Sequence, residues 1–178
     1  MSKAEYLSVF GAILFGLAAS FFLISWARLA QQSRLFKEWK FMLWSIPFFL
    51  ITIIVWYADY ELIAGLDNFW SYLFSFISIG FLFLVSAIIN PDLQKDVGWD
   101  FLRKRTDEVA TVFAIGSVWD YIYSVWYLGQ SDTLVNVIGT FVIVGIVLIW
   151  YFVREQWLMW VFLAIIYIQV ISTMSVIE

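Results

Sequence analysis

The sequence predicts an all-α integral membrane protein with six transmembrane helices, on three observations. Of the 178 residues, 63% are hydrophobic and 13% are charged, whereas a soluble domain is about half apolar and about a quarter charged. The apolar residues fall into six runs, each close to the ~20 residues that a helix needs to cross a bilayer. The basic residues are concentrated in the loops of one predicted side.

The six apolar runs occupy most of the chain, so residues 1–178 are predicted to form a single transmembrane domain. The predicted spans are 7–27, 41–58, 69–89, 109–128, 134–153 and 157–177. Inside hydrocarbon the backbone polar groups must be satisfied within each segment, which favours helices. None of the runs shows the alternating polarity of a transmembrane barrel strand.

Local signals refine two of these elements. Pro47 predicts a kink in the second span and a free backbone carbonyl in its cytoplasmic half. The longest connection, 90–108, is predicted to be an amphipathic cytoplasmic loop, because Trp99, Phe101 and Leu102 stand beside three consecutive basic residues. Such a mixture is typical of a segment that lies on a membrane surface.

The distribution of cations predicts the orientation of the chain. Nine of the ten Lys and Arg residues fall in the connections after spans one, three and five, and only Lys3 lies on the other side. Because cytoplasmic loops carry an excess of Lys and Arg, both termini are predicted to be non-cytoplasmic. We expect a multi-pass protein of a prokaryotic inner membrane.

The residue types that are missing exclude several kinds of chemistry. The chain has no cysteine and no histidine, which excludes disulfides, iron–sulfur clusters, thiol nucleophiles and the commonest proton shuttle. None of its five lysines lies within a predicted span, so a retinal Schiff base, which needs a buried amine, is excluded. We predict no cofactor and, without a basic block, no nucleic-acid partner.

One acidic residue, Asp120, lies inside a predicted span. It follows Val109 by eleven residues, which places it about 16 Å deep in a core about 30 Å thick. An ionised carboxylate at that depth costs at least about 2.5–3.5 kcal/mol. Asp120 is therefore predicted to face the bundle interior, to meet water or to hold a proton. Its neighbours on the same helical face are Gly116, Ser117, Tyr123, Ser124 and Tyr127.

Several other polar residues lie at matching depth and are predicted to form a polar centre with Asp120. They are Gln169, Tyr123, Thr140, Ser78 and Asn136. Gln169 is the most informative, because its amide brings both donors and acceptors into hydrocarbon. The alternative interpretation is structural. Small hydroxyl residues often stabilise helix contacts, and Asp120 would then be a buried protonated acid bonded to Gln169 or Tyr123.

A second acidic group lies in the 90–108 connection. Asp92, Asp96 and Asp100 are spaced by four residues and would share one face of a helix, where they could hold a divalent cation against a lipid diphosphate. This is the alternative metal site. Gly98 weakens a continuous helix there, and Asp100 also stands four residues before Lys104 as an ordinary surface pair.

A faint similarity links the two halves of the chain. The segment VFGAI at 9–13 resembles VFAIG at 112–116, and IVWYADYE at 54–61 resembles LIWYFVRE at 148–155. Three spans in each half would place the halves in opposite orientations, as in the 3+3 inverted repeats of many transporters. Apolar segments match easily by chance, so the predicted repeat is weak.

Three functions remain open, and the first is favoured. The first is a small channel or transporter with Asp120 as its proton or cation site, and a small ion or small molecule as its ligand. The second is a non-catalytic sensor, effector or complex subunit that binds lipid or a partner helix. The third is a lipid-modifying enzyme that uses the cytoplasmic aspartates. Because the bundle is small, we expect a homo-oligomer surrounded by membrane lipids.

Overall fold

The computed structural model describes residues 3–64, 69–90, 98–127, 134–153 and 155–177. Side chains are described for 9–57, 70–90, 98–125, 137–153, 155–172 and 174. The described part of the chain forms six α-helices and contains no β-strand, which confirms the all-α class. The helices are α1 (Lys3–Gln31), α2 (Trp39–Ala64), α3 (Phe69–Ile89), α4 (Trp99–Ile122), α5 (Leu134–Val153) and α6 (Gln156–Ile177).

Three helices have the length and apolar character needed to cross a membrane. Within the described residues, these candidate spans are Val9–Gln31, Trp39–Tyr57 and Trp70–Ile89. Two further apolar helices are shorter, at Val137–Val153 and Gln156–Ser172. Helix α4 is not among the candidates, because its first ten residues are rich in charge. Beyond those ten residues its only charged side chain is Asp120.

Helix α4 begins ten residues before the fourth predicted span. Residues 99–108 of the predicted amphipathic loop are therefore the first turns of α4. Gly98 precedes the helix with φ of 106°, a conformation that costs glycine little. The Glu38 carboxylate then accepts the Trp99 backbone N–H at 3.1 Å. An anionic group at a helix N-terminus satisfies a free donor and complements the helix dipole, and this fixes where α4 starts.

Five of the helices form a ring. Neighbours around the ring are α2 with α3, α3 with α4, α4 with α5, α5 with α6, and α6 with α2. Helix α1 packs outside the ring, against α2 and α3. One link from α1 is the hydrogen bond from Trp26 Nε1 to Ser45 Oγ at 2.8 Å. The ring leaves a space at its centre that is bordered by five helices of a single chain.

The two halves of the chain pack differently. Helix α1 contacts α3 extensively, and an inverted repeat would require the same of their counterparts α4 and α6. No comparable contact joins α4 to α6 in the part of the chain that the structure describes. Helix α1 is peripheral, whereas α4 is a member of the ring. The predicted 3+3 repeat is not confirmed.

The described basic residues that precede or begin α2 and α4 lie at one end of the bundle. Glu38, which precedes α2, forms an ion pair with Arg34 and contacts the start of α4. Lys40 lies with its Nζ 5.7 Å from the Trp99 ring centroid. The Trp99 ring in turn stacks on Trp160 of α6, with centroids 5.2 Å apart. The beginnings of α2, α4 and α6 are therefore joined at this basic end.

A hydrogen bond from α6 satisfies the backbone carbonyl that Pro47 leaves free in α2. Proline has no N–H, so the carbonyl four residues earlier, that of Leu43, loses its helical donor. The Tyr167 hydroxyl donates to the Leu43 oxygen at 2.8 Å. An unsatisfied carbonyl is costly where no water is present, so this hydrogen bond joins α6 to α2 at the proline.

The replacement Tyr167→Phe should lower the free energy of unfolding by about 1–3 kcal/mol, because it leaves the Leu43 carbonyl without a donor. Thermal unfolding in detergent measures the change, and Tyr57→Phe, at an exposed tyrosine, is the control. In a Pro47→Ala background the restored N–H should supply the missing donor, so Tyr167→Phe should then have little effect. An equal loss in both backgrounds would contradict this account.

The orientation remains a prediction, and the absence of cysteine makes it easy to test. Gln32→Cys lies at the basic end, and Gln130→Cys lies in a predicted outer loop. A membrane-impermeant maleimide should label Gln32→Cys only from the cytoplasmic side and Gln130→Cys only from the opposite side. Labelling with the sides exchanged would show that the termini are cytoplasmic.

Candidate functional site

The centre of the five-helix ring holds a cavity of about 260 Å³. Every helix of the ring contributes to its walls, from Ile51 on α2 to Val170 on α6. Helix α4 contributes the largest set of side chains, and their spacing of three or four residues places them on one helical face. These residues are Phe113, Gly116, Ser117, Asp120 and Tyr121, followed by Ser124 in the next turn.

Asp120 reaches this cavity from α4. Its side chain is exposed even though protein atoms of the neighbouring helices surround it. Both observations hold because the carboxyl group lines an internal space. No Lys or Arg lies among the described residues that line the cavity. The described part of the cavity wall therefore places no positive side chain opposite this carboxylate.

Four of the six residues predicted to form the polar centre line the same cavity: Asp120, Ser78, Thr140 and Gln169. They come from four different helices, α4, α3, α5 and α6. Ser78 lies beside the Asp120 carboxyl group, yet its buried hydroxyl makes no hydrogen bond of normal geometry with the described residues. That hydroxyl is therefore available to a ligand or to water in the cavity.

Tyr123 contacts α3 and lies outside the cavity wall. Its hydroxyl donates to the Ser71 carbonyl at 3.2 Å and is 2.8 Å from the Ser75 hydroxyl. Tyr123 is buried, and these two contacts join the end of α4 to α3. Asn136 lies in α5, but its side chain is outside the described residues.

A π-helical turn at Tyr123–Tyr127 continues α4. Side chains of this turn point towards two different neighbours. A π-turn holds more residues than an α-turn, which rotates the positions that follow it. Tyr123 contacts α3, whereas the next residue, Ser124, lines the cavity. Such turns occur often at functional sites in membrane and soluble helices.

Several lining residues were not predicted from the sequence. Tyr121 was missed because it follows Asp120 directly and not at the helical spacing of three or four. The aliphatic side chains of α2 were also missed, since an apolar residue in an apolar span carries no distinguishing signal. Ser117 and Ser124, in contrast, were recognisable from their spacing on the Asp120 face.

Four aromatic side chains pack together on the side of the cavity nearest the basic end of the bundle. Trp44, Phe48, Phe113 and Phe162 form a closed circuit in which each ring contacts two others at centroid distances of 5.3–6.1 Å. All four are buried, and Phe113 is also part of the cavity wall. We call these residues the aromatic cluster. It joins α2, α4 and α6 across the ring.

The alternative metal site is only partly described. Asp100 is exposed in the first turn of α4, while Asp92 and Asp96 lie outside the described residues. Gly98 does not have helical backbone angles, so Asp100 does not continue a helix from the residues before it. Among the described residues, no group of three or more acidic, histidine or cysteine side chains is placed to hold a metal ion.

Comparisons with known proteins provide no relative. No protein-family model, no curated protein and no solved structure matches this chain.

Access to the cavity is testable with cysteine variants. Ser117→Cys lines the cavity and should react with a small, positively charged methanethiosulfonate. Ser86→Cys, at a fully buried position on α3, should not react. Because Asp120 attracts the cationic reagent, Asp120→Asn should slow the reaction at Ser117→Cys. Absence of reaction at Ser117→Cys, as at Ser86→Cys, would show that the cavity is closed to this reagent.

Proposed function

We propose that this chain is a six-pass membrane protein that acts as a small channel or transporter. Its substrate would be a proton or a cation held at Asp120. The observation that carries the proposal is an accessible carboxylate at the centre of the helical ring, with no positive side chain among the described residues of the cavity wall. Intramembrane acids of this kind are commonly part of ion or proton pathways.

The ring supports six membrane passages. Helices α4, α5 and α6 lie beside the candidate spans α2 and α3 around a common centre, so they would occupy the same slab of hydrocarbon. The charges of α4 other than Asp120 lie in its first ten residues, next to the other basic connections. That end would face the cytoplasm and leave both termini outside, as the positive-inside rule predicts.

A bound cation or proton would remove the main cost of the buried charge. Taking an ionised carboxylate into hydrocarbon costs about 2.5–3.5 kcal/mol or more, and a neutral donor that turned towards it, such as the Ser78 hydroxyl, would offset part of this cost. A positive ion beside the carboxylate would offset it further, because Coulomb attraction is strong where water is scarce. Thr140 and Gln169 would supply neutral oxygen atoms from the facing helices.

The aromatic cluster favours a gated pathway over an open pore. Its four rings fill the ring of helices between Asp120 and the basic end. A solute leaving the cavity in that direction would require Phe48, Phe113 and Phe162 to separate. Alternating access, in which helices move against each other about a central site, is a common solution in transporters.

The proposal does not depend on an oligomer. The cavity lies within one chain, so a pathway needs no second subunit. A homo-oligomer remains a proposal of its own, as does a prokaryotic inner membrane as the location. The outward-facing side chains suit contact with lipid, since Phe141, Phe152 and Ile168 are 66%, 89% and 65% exposed.

Flux measurements in reconstituted vesicles test the proposal. With proton, Na⁺ and K⁺ gradients, the wild-type chain should conduct at least one of these ions. Asp120→Asn should reduce that flux by about tenfold or more, the factor that 1.4 kcal/mol of binding free energy produces. Asp100→Asn changes an exposed acid on the same helix and should leave the flux unchanged.

Equal flux through the wild type and Asp120→Asn would remove Asp120 from the mechanism. Absence of flux for every cation tested would leave a sensor, effector or complex subunit as the better interpretation. Loss of flux in Asp100→Asn as well would show that the effect is not specific to Asp120 and would contradict the assignment of the ion site to that residue.

A further inference from the structure

The walls of the cavity differ in chemistry from one helix to the next. Helix α2 contributes only aliphatic side chains, those of Ile51, Ile54 and Val55. Helix α3, the next helix in the chain, adds the apolar side chains of Phe81, Leu82 and Val85. The carboxylate and most hydroxyl groups come from α4 and the helices that follow it. A cavity with an extensive apolar wall and a few convergent polar groups is typical of a small-molecule site.

The polar wall presents hydrogen-bond acceptors. The Ser117 hydroxyl donates its hydrogen to the Phe113 carbonyl at 2.9 Å, and the Ser124 hydroxyl donates to the Tyr121 carbonyl at 3.3 Å. Their oxygen atoms therefore retain lone pairs on the cavity side. The Asp120 carboxylate is also an acceptor when ionised. This wall is complementary to a ligand that carries both a positive charge and N–H donors.

Aromatic side chains lie in the same cavity. Phe81, Phe113 and Tyr121 all contribute to its walls. Aromatic rings attract cations that lie over their faces, and organic ammonium groups are favoured partners of such rings. The aliphatic side chains of α2 offer no ligand atoms to a metal ion, which binds best where several oxygen atoms converge. This cavity has a single carboxylate among its described lining residues.

The size of the cavity also favours an organic ion. A volume of about 260 Å³ corresponds to about nine water-sized groups, taking ~30 Å³ for each. It is far larger than one proton or one bare alkali ion needs. It matches an amine of about eight non-hydrogen atoms.

We infer that the cavity binds a small organic ammonium ion with an apolar body. The nitrogen would lie at Asp120, within reach of the Ser117 and Ser124 oxygens, and the hydrocarbon part would contact α2 and α3. This inference rests on the proposed role of Asp120 as a cation site and names the chemical class of the cation. A primary ammonium fits best, because it offers three N–H donors to the acceptors of the polar wall.

Calorimetry on the full chain in nanodiscs, with benzylammonium as the probe, tests the inference. Benzyl alcohol has the same size without the charge, and methylammonium has the charge without the apolar body. Benzylammonium should bind more tightly than either by about tenfold or more. Asp120→Asn should remove this preference over benzyl alcohol, and Asp100→Asn should leave it unchanged. Ser117→Leu should weaken binding by filling the cavity while it keeps the carboxylate.

Equal binding of benzylammonium and benzyl alcohol by the wild type would overturn the inference, even if the Asp120 variant fails to fold. Asp120-dependent proton or Na⁺ flux without benzylammonium binding would also overturn it and leave the proposed function intact. Benzylammonium binding at Asp120 without flux of any cation would support the site and contradict the proposed transport.

Discussion

The structure depends on one electrostatic constraint, which is the placement of the Asp120 carboxylate in the middle of an apolar helical bundle. A charge there is costly unless water, a proton or a cation meets it. The ring of α2 to α6 meets this constraint by leaving a cavity at its centre and by directing one face of α4 into it. Hydroxyl and amide groups of three other helices complete the polar surroundings.

The backbone polar groups of the packed helices also need hydrogen-bond partners, because an unsatisfied buried N–H or C=O is costly. Where the chain breaks helical hydrogen bonding, a side chain of another element provides the partner. Tyr167 donates to the carbonyl that Pro47 leaves free, and the Glu38 carboxylate accepts the first N–H of α4. These hydrogen bonds also connect different helices. The same contacts that satisfy backbone polar groups therefore help to hold the bundle together.

Serine residues illustrate how position decides between structure and function. The Ser20 and Ser117 hydroxyls both donate to their own helix backbone, at 2.7 and 2.9 Å. Ser117 lines the cavity, whereas Ser20 belongs to the peripheral α1. Ser75 and Ser78 lie on one face of α3, but only Ser78 reaches the cavity, because Tyr123 binds Ser75. The position of each serine in the bundle therefore decides whether its hydroxyl group reaches the cavity.

The sequence alone determined the helical class, the apolar segments and the position of Asp120 within one of them, because hydrophobicity and charge act locally and are readable along the chain. It also placed Ser117 and Ser124 on the Asp120 face, since helical spacing is a local property. Only the tertiary structure decided that α1 lies outside the ring, that Tyr123 binds α3, and that α2 forms an aliphatic wall. These features depend on which helix faces meet, and apolar spans of similar composition leave that choice to side-chain packing.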